Sequence, residues 1–384
     1  MIYRARAGGG PTLLALALLP AAAAVAAGNA AAAPMVWPLP RTMGAADGTT
    51  GTLDPATFAF KATGKTSSTL SSAFERYAKL LAADGTAAPA RLPAAARAGS
   101  TALASLRVDV ASDSLALGIS TSEAYNLTIA FPAATLAADT VYGALRGLET
   151  FTQLVSAADR TIAAQSVVDF PRFPHRGVML DTARHFLPVS FIVGFLDAMS
   201  YSKLNVLHLH LTDSQSFPVE SKAFPKLTDA AFKLSNGCRS LANPMPNESH
   251  VWNGHIPKGW HRQPQEEPLT NCTYSHDDLR YVVEHARQRG IRVVPEFDTP
   301  AHSSSWSIGY PGATIFCGCT AEPCPPGSTD PVTGKPSHYS DVFNPVSNQS
   351  FALVSGFFAE MAEIFPDEQM HLVRNTTFFG AVLY

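Results

Sequence analysis

The sequence has little charge, no basic stripe and few cysteines. Only 15% of its 384 residues are charged, whereas 46% are hydrophobic. This balance is typical of a globular protein and excludes the composition of a disordered one. The formal net charge of −3 offers no positive surface for a polyanion, so no nucleic-acid partner is expected.

The first 33 residues are predicted to be a secretory leader. Arg4 and Arg6 give it a positive start, Leu13–Leu19 give it an apolar centre, and the alanine-rich stretch to Ala33 offers small-residue cleavage positions. A membrane anchor is the alternative, but Pro20 breaks the apolar run short of the roughly 20 residues that a span needs. We therefore expect a signal peptide, no membrane span, and a location in the secretory pathway, either extracellular or in a lysosome or vacuole.

A secretory route gives meaning to the Asn-X-Ser/Thr sequons and to the cysteines. Each sequon is a potential glycosylation site and hence a potential surface position. The predicted glycosylation sites are Asn126, Asn247, Asn271 and Asn348, and a further sequon begins at Asn375. An oxidising compartment favours disulfides, although an odd number of cysteines leaves one unpaired. The cysteines are Cys238, Cys272, Cys317, Cys319 and Cys324, and a disulfide is favoured over a metal site for the last three.

Residues 34–170 carry the pattern of a small α+β domain. Helical periodicity occurs over Ser67–Ala82 and Val141–Val155. A strand is predicted over Thr57–Lys61. Three further segments alternate inward and outward residues and are assigned to an antiparallel sheet: Leu106–Val110, Ala116–Ser120 and Asn126–Phe131. The acidic residues of this region are scattered as on a solvated face, and no catalytic constellation is found among them.

From residue 171 to residue 384 the pattern changes to strands that alternate with helices, which is typical of parallel βαβ units. The predicted strands are Gly177–Leu180, Asn205–Thr212, Ile291–Phe297 and Gln369–Val373. The predicted helices are about Val189–Met199, a helix capped by Ser275 and Asp278 that stops at Gly290, and Gln349–Phe365. A loop insertion rich in proline and glycine interrupts the pattern at about 233–272. The fold class is therefore α/β, with the N-terminal domain followed by an incomplete (β/α)8 TIM barrel of about four of its eight units.

Charged residues follow the carboxyl ends of these strands. Where parallel strands close a barrel, such residues converge on one rim, and that rim carries the chemistry. Carboxylates gathered there suit acid–base chemistry on a polar substrate such as a sugar. Any single one could instead be a loop cap or an ion-pair partner, and Arg184 could either pair with a carboxylate or donate to sugar hydroxyls. The residues at the rim are Asp181, Asp213, Glu296, Asp298 and His302.

His208 and His210 raise the alternative of a zinc site completed by His302. Strand alternation places the two histidines on one face and Asp213 on the other, with Leu207, Leu209 and Leu211. Packed, hydrogen-bonded histidines are therefore favoured, and no metal or cofactor is expected.

Three long motifs resemble those of a known family. Phe173–His185 (FPHRGVMLDTARH), Asn205–Asp213 (NVLHLHLTD) and Pro295–His302 (PEFDTPAH) resemble, in the family's order, the β-N-acetylhexosaminidases of glycoside hydrolase family 20, in their lysosomal and plant-type branch. The resemblance begins near Trp37 and covers most of the chain outside the leader and the insertion.

The resemblance implies a small α/β domain followed by a (β/α)8 barrel. It implies an enzyme that releases terminal N-acetylglucosamine or N-acetylgalactosamine with retention, using the acetamido oxygen of the substrate as nucleophile. Arg184 would hold the ring hydroxyls of the sugar. Asp213 and His302 would orient and tune the catalytic acid, and Asp298 would support their loop. The implied partners are glycans or glycoconjugates that contain N-acetylhexosamine, and the resemblance allows a homodimer in the full-length protein.

The sequence departs from the family at the fourth predicted strand. Where the family has His-Leu-Gly-Gly-Asp-Glu, this chain has His371-Leu-Val-Arg-Asn-Thr376. The Asp that positions the acetamido group and the Glu that protonates the leaving oxygen are thus replaced. Smaller departures are Leu209 in place of Trp and Ser214 in place of a second Asp.

We therefore expect the amino-terminal part of a hexosaminidase that does not itself hydrolyse its substrate, because general acid catalysis is commonly worth about 10²–10⁴-fold. A truncated, non-enzymatic form that binds sugar or regulates is the alternative.

Overall fold

The computed structural model describes residues 36–44, 48–82, 101–234, 270–315 and 342–372. The predicted signal peptide, Asn247, Asn375 and four of the five cysteines lie outside these ranges. Cys272 is fully buried, and the pairing of the cysteines stays a prediction. No helix among the described residues is long and apolar enough to cross a membrane.

The first layer of the fold is a six-stranded mixed sheet with the strand order β1-β9-β6-β7-β5-β3. Its strands are β1 (Thr42–Met43), β3 (Ala59–Ala62), β5 (Ser105–Val110), β6 (Tyr125–Ile129), β7 (Ala133–Ala138) and β9 (Gln165–Asp169). A smaller sheet joins β2 (Thr50–Thr52), β4 (Thr101–Ala102) and β8 (Thr161–Ala163). Helices α1 (Ser68–Ala82) and α2 (Val141–Leu154) pack against each other and bury their apolar faces, as the periodicity predicts.

The prediction of an antiparallel sheet is wrong for half of this layer. Strands β3, β5 and β7 run parallel to one another, whereas β6 runs antiparallel to β7 and β9. Helix α1 lies between β3 and β5 in the chain, and a crossover of this length lets two strands run parallel.

The strand predicted over 116–120 is not formed. Instead, the Gly118 N–H donates to the Thr121 hydroxyl at 2.9 Å and the Thr121 N–H donates to the Gly118 carbonyl, which closes a turn. Short polar side chains compete with strand pairing in this way.

The second layer is a parallel sheet with the order β10-β11-β14. Its strands are β10 (Gly177–Asp181), β11 (Val206–Thr212) and β14 (Arg292–Phe297), and they alternate with helices α3 (Val189–Tyr201), α4 (His276–Arg287) and the short α5 (Ser304–Gly309). Helix α6 (Asn348–Ala362) follows in the chain. The predicted cap of α4 is present as a full capping box between Ser275 and Asp278. Where a fourth strand is predicted, the described residues show a single parallel bridge between Glu296 and His371.

The two ends of the predicted insertion lie side by side. Strands β12 (Lys233–Leu234) and β13 (Thr270–Asn271) pair antiparallel, with Lys233 opposite Asn271. A third small sheet pairs β15 (Thr314–Ile315) with β16 (Val342–Phe343). Residues 235–269 lie outside the described part of the chain.

The described residues fall in one compact unit that contains two hydrophobic cores. The buried residues of one core extend to Val167 and those of the other begin at Phe186, so the predicted boundary at residue 170 falls between them. That each core is a separate domain stays a prediction.

A buried carboxylate links the two layers. Glu123 accepts hydrogen bonds from Arg146 Nε at 2.5 Å, from Arg176 Nη2 at 2.6 Å and from Asn205 Nδ2 at 2.7 Å. Arg146 also donates to the backbone oxygens of Arg289 and Gly290, which precede β14. The ends of β10, β11 and β14 at which the chain enters the sheet are therefore held against the first layer, and their carboxyl ends point away from these contacts.

Candidate functional site

Arg184 lies just after the carboxyl end of β10 and forms ion pairs with two carboxylates. Its Nη1 donates to Asp181 Oδ2 at 2.8 Å, its Nη2 contacts the Asp213 carboxylate, and its Nε donates to Gln215 Oε1 at 3.2 Å. Asp181 Oδ1 in turn accepts the backbone N–H groups of Ala183 and Arg184, which fixes the turn after the strand. The Arg184 side chain remains 45% exposed. It pairs with carboxylates, as one interpretation of the sequence has it, and its donation to sugar hydroxyls stays a prediction.

Asp213 is almost fully buried where β11 ends. Its Oδ2 accepts from His210 Nε2 at 3.2 Å and contacts Arg184, and its Oδ1 accepts the Ser214 N–H at 2.6 Å. Burial alone would raise the pKa of Asp213, but hydrogen bonds with His210, Asp298 and Ser214 lower it to about 2. The group is therefore an anion at every physiological pH.

The predicted separation of Asp213 from the histidine face is wrong. The pairing of β11 with β14 shifts its register between His210 and Thr212, so simple alternation does not continue to the end of the strand. The irregular end brings the Asp213 carboxylate against His210. Leu207, Leu209 and Leu211 are fully buried on the core side.

Asp298 and His302 complete the group around Asp213. His302 Nδ1 lies 3.4 Å from Asp298 Oδ2 and 3.6 Å from Asp213 Oδ1. Burial, together with a hydrogen bond to ionised Asp213, raises the pKa of Asp298 to about 7, so the two carboxylates share one proton at mildly acidic pH. His302 has a φ of 56°, a left-handed conformation that is uncommon for a residue other than glycine and is often found at functional sites.

Glu296 joins three histidines. Its Oε2 accepts from His208 Nε2 at 2.7 Å and from His210 Nδ1 at 2.6 Å, and its Oε1 accepts from His371 Nδ1 at 2.7 Å. Burial would raise the pKa of Glu296, but the histidines lower it to about 2. Burial would likewise lower the pKa of His210, whereas Asp213 and Glu296 raise it to about 10.

The sequence shows each of these residues but not the links between them. The register between β11 and β14 is the signal that could have revealed the link between His210 and Glu296, because these two residues lie opposite each other in the adjacent parallel strands.

Three groups of side chains in the described residues have donors of the types that bind metals. They are His208, Glu296 and His371; His210, Glu296 and Asp298; and Asp213, Asp298 and His302. The contacts of Glu296 with the histidines are hydrogen bonds of 2.6–2.7 Å, which favours a packed network. The alternative trio of His208, His210 and His302 is not brought together in the part of the chain that the structure describes, because His302 faces Asp213 and Asp298 instead.

The sequon asparagines that can be located are placed as follows. Asn126 on β6 and Asn348 at the start of α6 are exposed, and Asn271 lies in β13. Their glycosylation stays a prediction.

The chain matches two family models. Residues 173–373 match the model described as "Glycosyl hydrolase family 20, catalytic domain". Residues 36–154 match the model described as "beta-acetyl hexosaminidase like". The first match begins just before β10 and extends past the bridge at His371, so it contains every residue of the site.

Curated relatives and solved structures agree with these matches. The beta-hexosaminidase subunit beta of Mus musculus is 41% identical over 260 residues, which are 66% of this chain and 39% of that protein. The same subunit of Felis catus is 36% identical over 371 residues, 93% of this chain and 60% of that protein. A chitobiase structure from Flavobacterium johnsoniae superposes with a TM-score of 0.63 at 24% identity over 88% of this chain and 44% of that chain, which confirms the fold class. The chain thus spans less than two thirds of the length of these relatives.

Proposed function

The chain belongs to glycoside hydrolase family 20, and from that premise we propose that its site recognises the terminal N-acetylhexosamine of a glycan or glycoconjugate for removal by a β-N-acetylhexosaminidase mechanism. The observation that carries this proposal is the position of half-exposed Arg184 beside the buried group of Asp213, Asp298 and His302 at the carboxyl ends of the strands. In barrel enzymes this end of the strands carries the reaction.

Arg184 is the proposed sugar-binding residue. A guanidinium has five N–H donors in a rigid plane. Its contacts with Asp181, Asp213 and Gln215 fix that plane and leave N–H groups at the half-exposed edge. A planar, charged donor held in one orientation suits a pair of neighbouring sugar hydroxyls, because little side-chain entropy is lost on binding.

Asp213 and His302 are proposed to orient and tune the catalytic acid, with Asp298 as their support. The protonated form of Asp298 donates to ionised Asp213, and His302 faces both carboxylates. The His302 side chain is 36% exposed, so it can reach a group outside the cluster. The reaction proposed from the family uses the acetamido oxygen of the substrate as nucleophile, which leaves the protein to supply positioning and the acid.

The acid itself is not provided where the family has it, since Asn375 and Thr376 stand at those positions. We therefore predict that a polypeptide of these 384 residues binds the sugar but does not hydrolyse a nitrophenyl β-N-acetylglucosaminide. Entry into the secretory pathway is proposed from the leader and supported by the exposure of two sequon asparagines, Asn126 and Asn348. A homodimer of the full-length protein stays a prediction.

Binding of N-acetylglucosamine to the purified chain, measured by calorimetry or saturation-transfer NMR, tests the proposal. Wild-type chain should bind saturably and prefer N-acetylglucosamine to glucose. Arg184→Gln should lose roughly tenfold or more in affinity, because it removes charge-assisted hydrogen bonds worth about 1.5–3 kcal/mol. Arg280→Gln is the matched control, since Arg280 is an exposed arginine that pairs with Asp277 on α4. Equal binding of the two sugars, or equal loss in both variants, would refute the assignment.

A further inference from the structure

Glu296 lies one residue before the end of β14 and is not exposed to a ligand. Its side chain is 5% exposed, and both of its oxygens are taken by histidines. Those histidines come from β11 and from the bridge at residue 371, so a single carboxylate links three neighbouring positions of the parallel sheet. A charge buried this deeply is retained only where it is paired on both oxygens, which is the case here.

The link continues from Glu296 to the sugar-binding side of the site. His210 uses Nδ1 for Glu296 and Nε2 for Asp213, so both ring nitrogens face carboxylates. An imidazole that donates from both nitrogens carries a positive charge. Asp213 in turn contacts Arg184 Nη2, and Arg184 Nη1 lies 3.2 Å from His210 Nε2.

Charge therefore alternates along one hydrogen-bonded path from the interior to the surface. Glu296 is negative, His210 positive, Asp213 negative and Arg184 positive. Each ion is stabilised by its neighbour in a region of low dielectric, so the removal of one weakens the next. The charged and titratable groups that face His210 are Glu296 and Asp298 from the β14 side, Asp213 and Arg184 from the loops, and His208 and His371 across Glu296.

We propose that Glu296 is a positioning residue for the sugar site: through His210 it holds the Asp213 carboxylate, and through Asp213 it fixes the orientation in which Arg184 meets the sugar. This inference rests on the proposed function of Arg184. It assigns a role to a residue whose carboxylate is buried among three histidines. Glu296 also holds His371 beside β14, through the hydrogen bond between Glu296 Oε1 and His371 Nδ1.

Glu296→Gln is the informative substitution. It preserves the shape and one acceptor oxygen, but it replaces the other oxygen by an NH2 group that faces a histidine N–H. The pKa of His210, followed by NMR of ¹³C-labelled histidine and assigned with His210→Gln, should fall by about one pH unit or more, because its counter-ion is lost. N-acetylglucosamine should bind roughly fivefold or more weakly, a typical size for coupling between separate sites.

Asp367→Asn is the matched control. Asp367 is also a buried carboxylate and pairs with Arg292 at the opposite end of β14, at 2.7 Å and with 5% exposure. It should lower the melting temperature but leave both the His210 titration and the sugar affinity unchanged. Should Glu296→Gln fail to fold, Glu296→Asp is measured in its place. It keeps the charge but shortens the reach, and it should shift His210 in the same direction by a smaller amount.

The outcomes separate this inference from the proposed function. If wild-type chain binds no N-acetylglucosamine, the proposed function fails, and the positioning role is then decided by the His210 titration and by the Arg184 Nε–H resonance of the free protein. If Glu296→Gln leaves His210 and Arg184 unchanged, or if Asp367→Asn weakens sugar binding equally, the positioning role of Glu296 is refuted.

Discussion

Replacing Glu123 by glutamine is predicted to destabilise the protein where its two layers meet. The Glu123 side chain is 6% exposed and accepts hydrogen bonds from Arg146, Arg176 and Asn205. Glutamine keeps one oxygen of the carboxylate but presents an NH2 group in place of the other. Both arginines bind the same oxygen, Oε2, and Asn205 binds Oε1, so the NH2 group faces either both guanidiniums or the Asn205 amide. In either orientation the two guanidiniums lose their counter-ion.

The magnitude follows from the burial of the two arginines. Removal of one partner of a buried ion pair costs about 3–5 kcal/mol. The cost falls mainly on Arg146, which is 4% exposed, because Arg176 is 18% exposed and can be partly solvated. Arg146 keeps its hydrogen bonds to the backbone oxygens of Arg289 and Gly290. We therefore expect the lower end of the range, about 3 kcal/mol.

Urea unfolding at neutral pH measures this difference. Asp113→Asn is the control, because Asp113 pairs with Lys65 at 4.0 Å with side chains that are 67% and 62% exposed. Such an exposed pair contributes about 0–1 kcal/mol.

The effect of Glu123 has a defined pH dependence. Burial would raise the pKa of Glu123, but Arg146 and Arg176 lower it below the ordinary value of 4.5. Its contribution to the free energy of unfolding is therefore complete above pH 4.5 and is lost as the pH falls through the lowered value. The reasoning would be refuted if the free energies of unfolding of wild type and Glu123→Gln differed by less than about 1 kcal/mol at neutral pH. It would also be refuted if this difference stayed constant into the acid range.

Two further predictions concern the second layer. Ser275→Ala should destabilise the protein by about 0.5–2 kcal/mol in the urea titration, since it removes the cap of α4. Ser355→Ala, in the exposed middle of α6, is the control and should change the stability little. Equal effects of the two substitutions would contradict the capping role. The raised pKa of Asp298, about 7, means that the folded protein holds a proton that the unfolded carboxyl loses above its ordinary value of 3.8. The stability contributed by this group should fall as the pH rises from 3.8 to about 7. Between these pH values the melting temperature of Asp298→Asn should depend less on pH than that of the wild type. An identical pH dependence in both proteins would contradict the shared proton.

The elements that the sequence predicts correctly are those decided by local chemistry. Helices α1 and α2 follow from an apolar stripe of helical period, and the start of α4 follows from Ser275 with Asp278 three positions later. Strands β10, β11 and β14 follow from apolar runs with an aspartate at or just after their carboxyl ends, namely Asp181, Asp213 and Asp298. The pairing direction of β3, β5 and β7 does not follow, because it depends on which distant strands meet.

The arrangement of the site shows the same limit. The charged residues at the strand ends can be named from the sequence, and the structure brings Arg184, Asp213, Asp298 and His302 together. The contact between His210 and Asp213 depends on a shift in the register between β11 and β14, which cannot be predicted from the residue types there. Two of the three bonds of Glu296 depend on the pairing of β11 with β14, two segments that lie more than 80 residues apart in the chain. The third depends on the bridge to His371.

The two ends of the parallel sheet are both charged, and they differ in what their charges can do. At the end facing the first layer, Glu123 is buried and each guanidinium nitrogen of its two arginines has a hydrogen-bond partner in the protein, so the contact stabilises the boundary. At the carboxyl end, the path from Glu296 runs outward and finishes at Arg184, whose edge is open to solvent. Buried charges carry a desolvation cost at both ends. Only at the carboxyl end does the last ion of the network remain available to a ligand, and this asymmetry argues for a binding role there and a structural role at the other end.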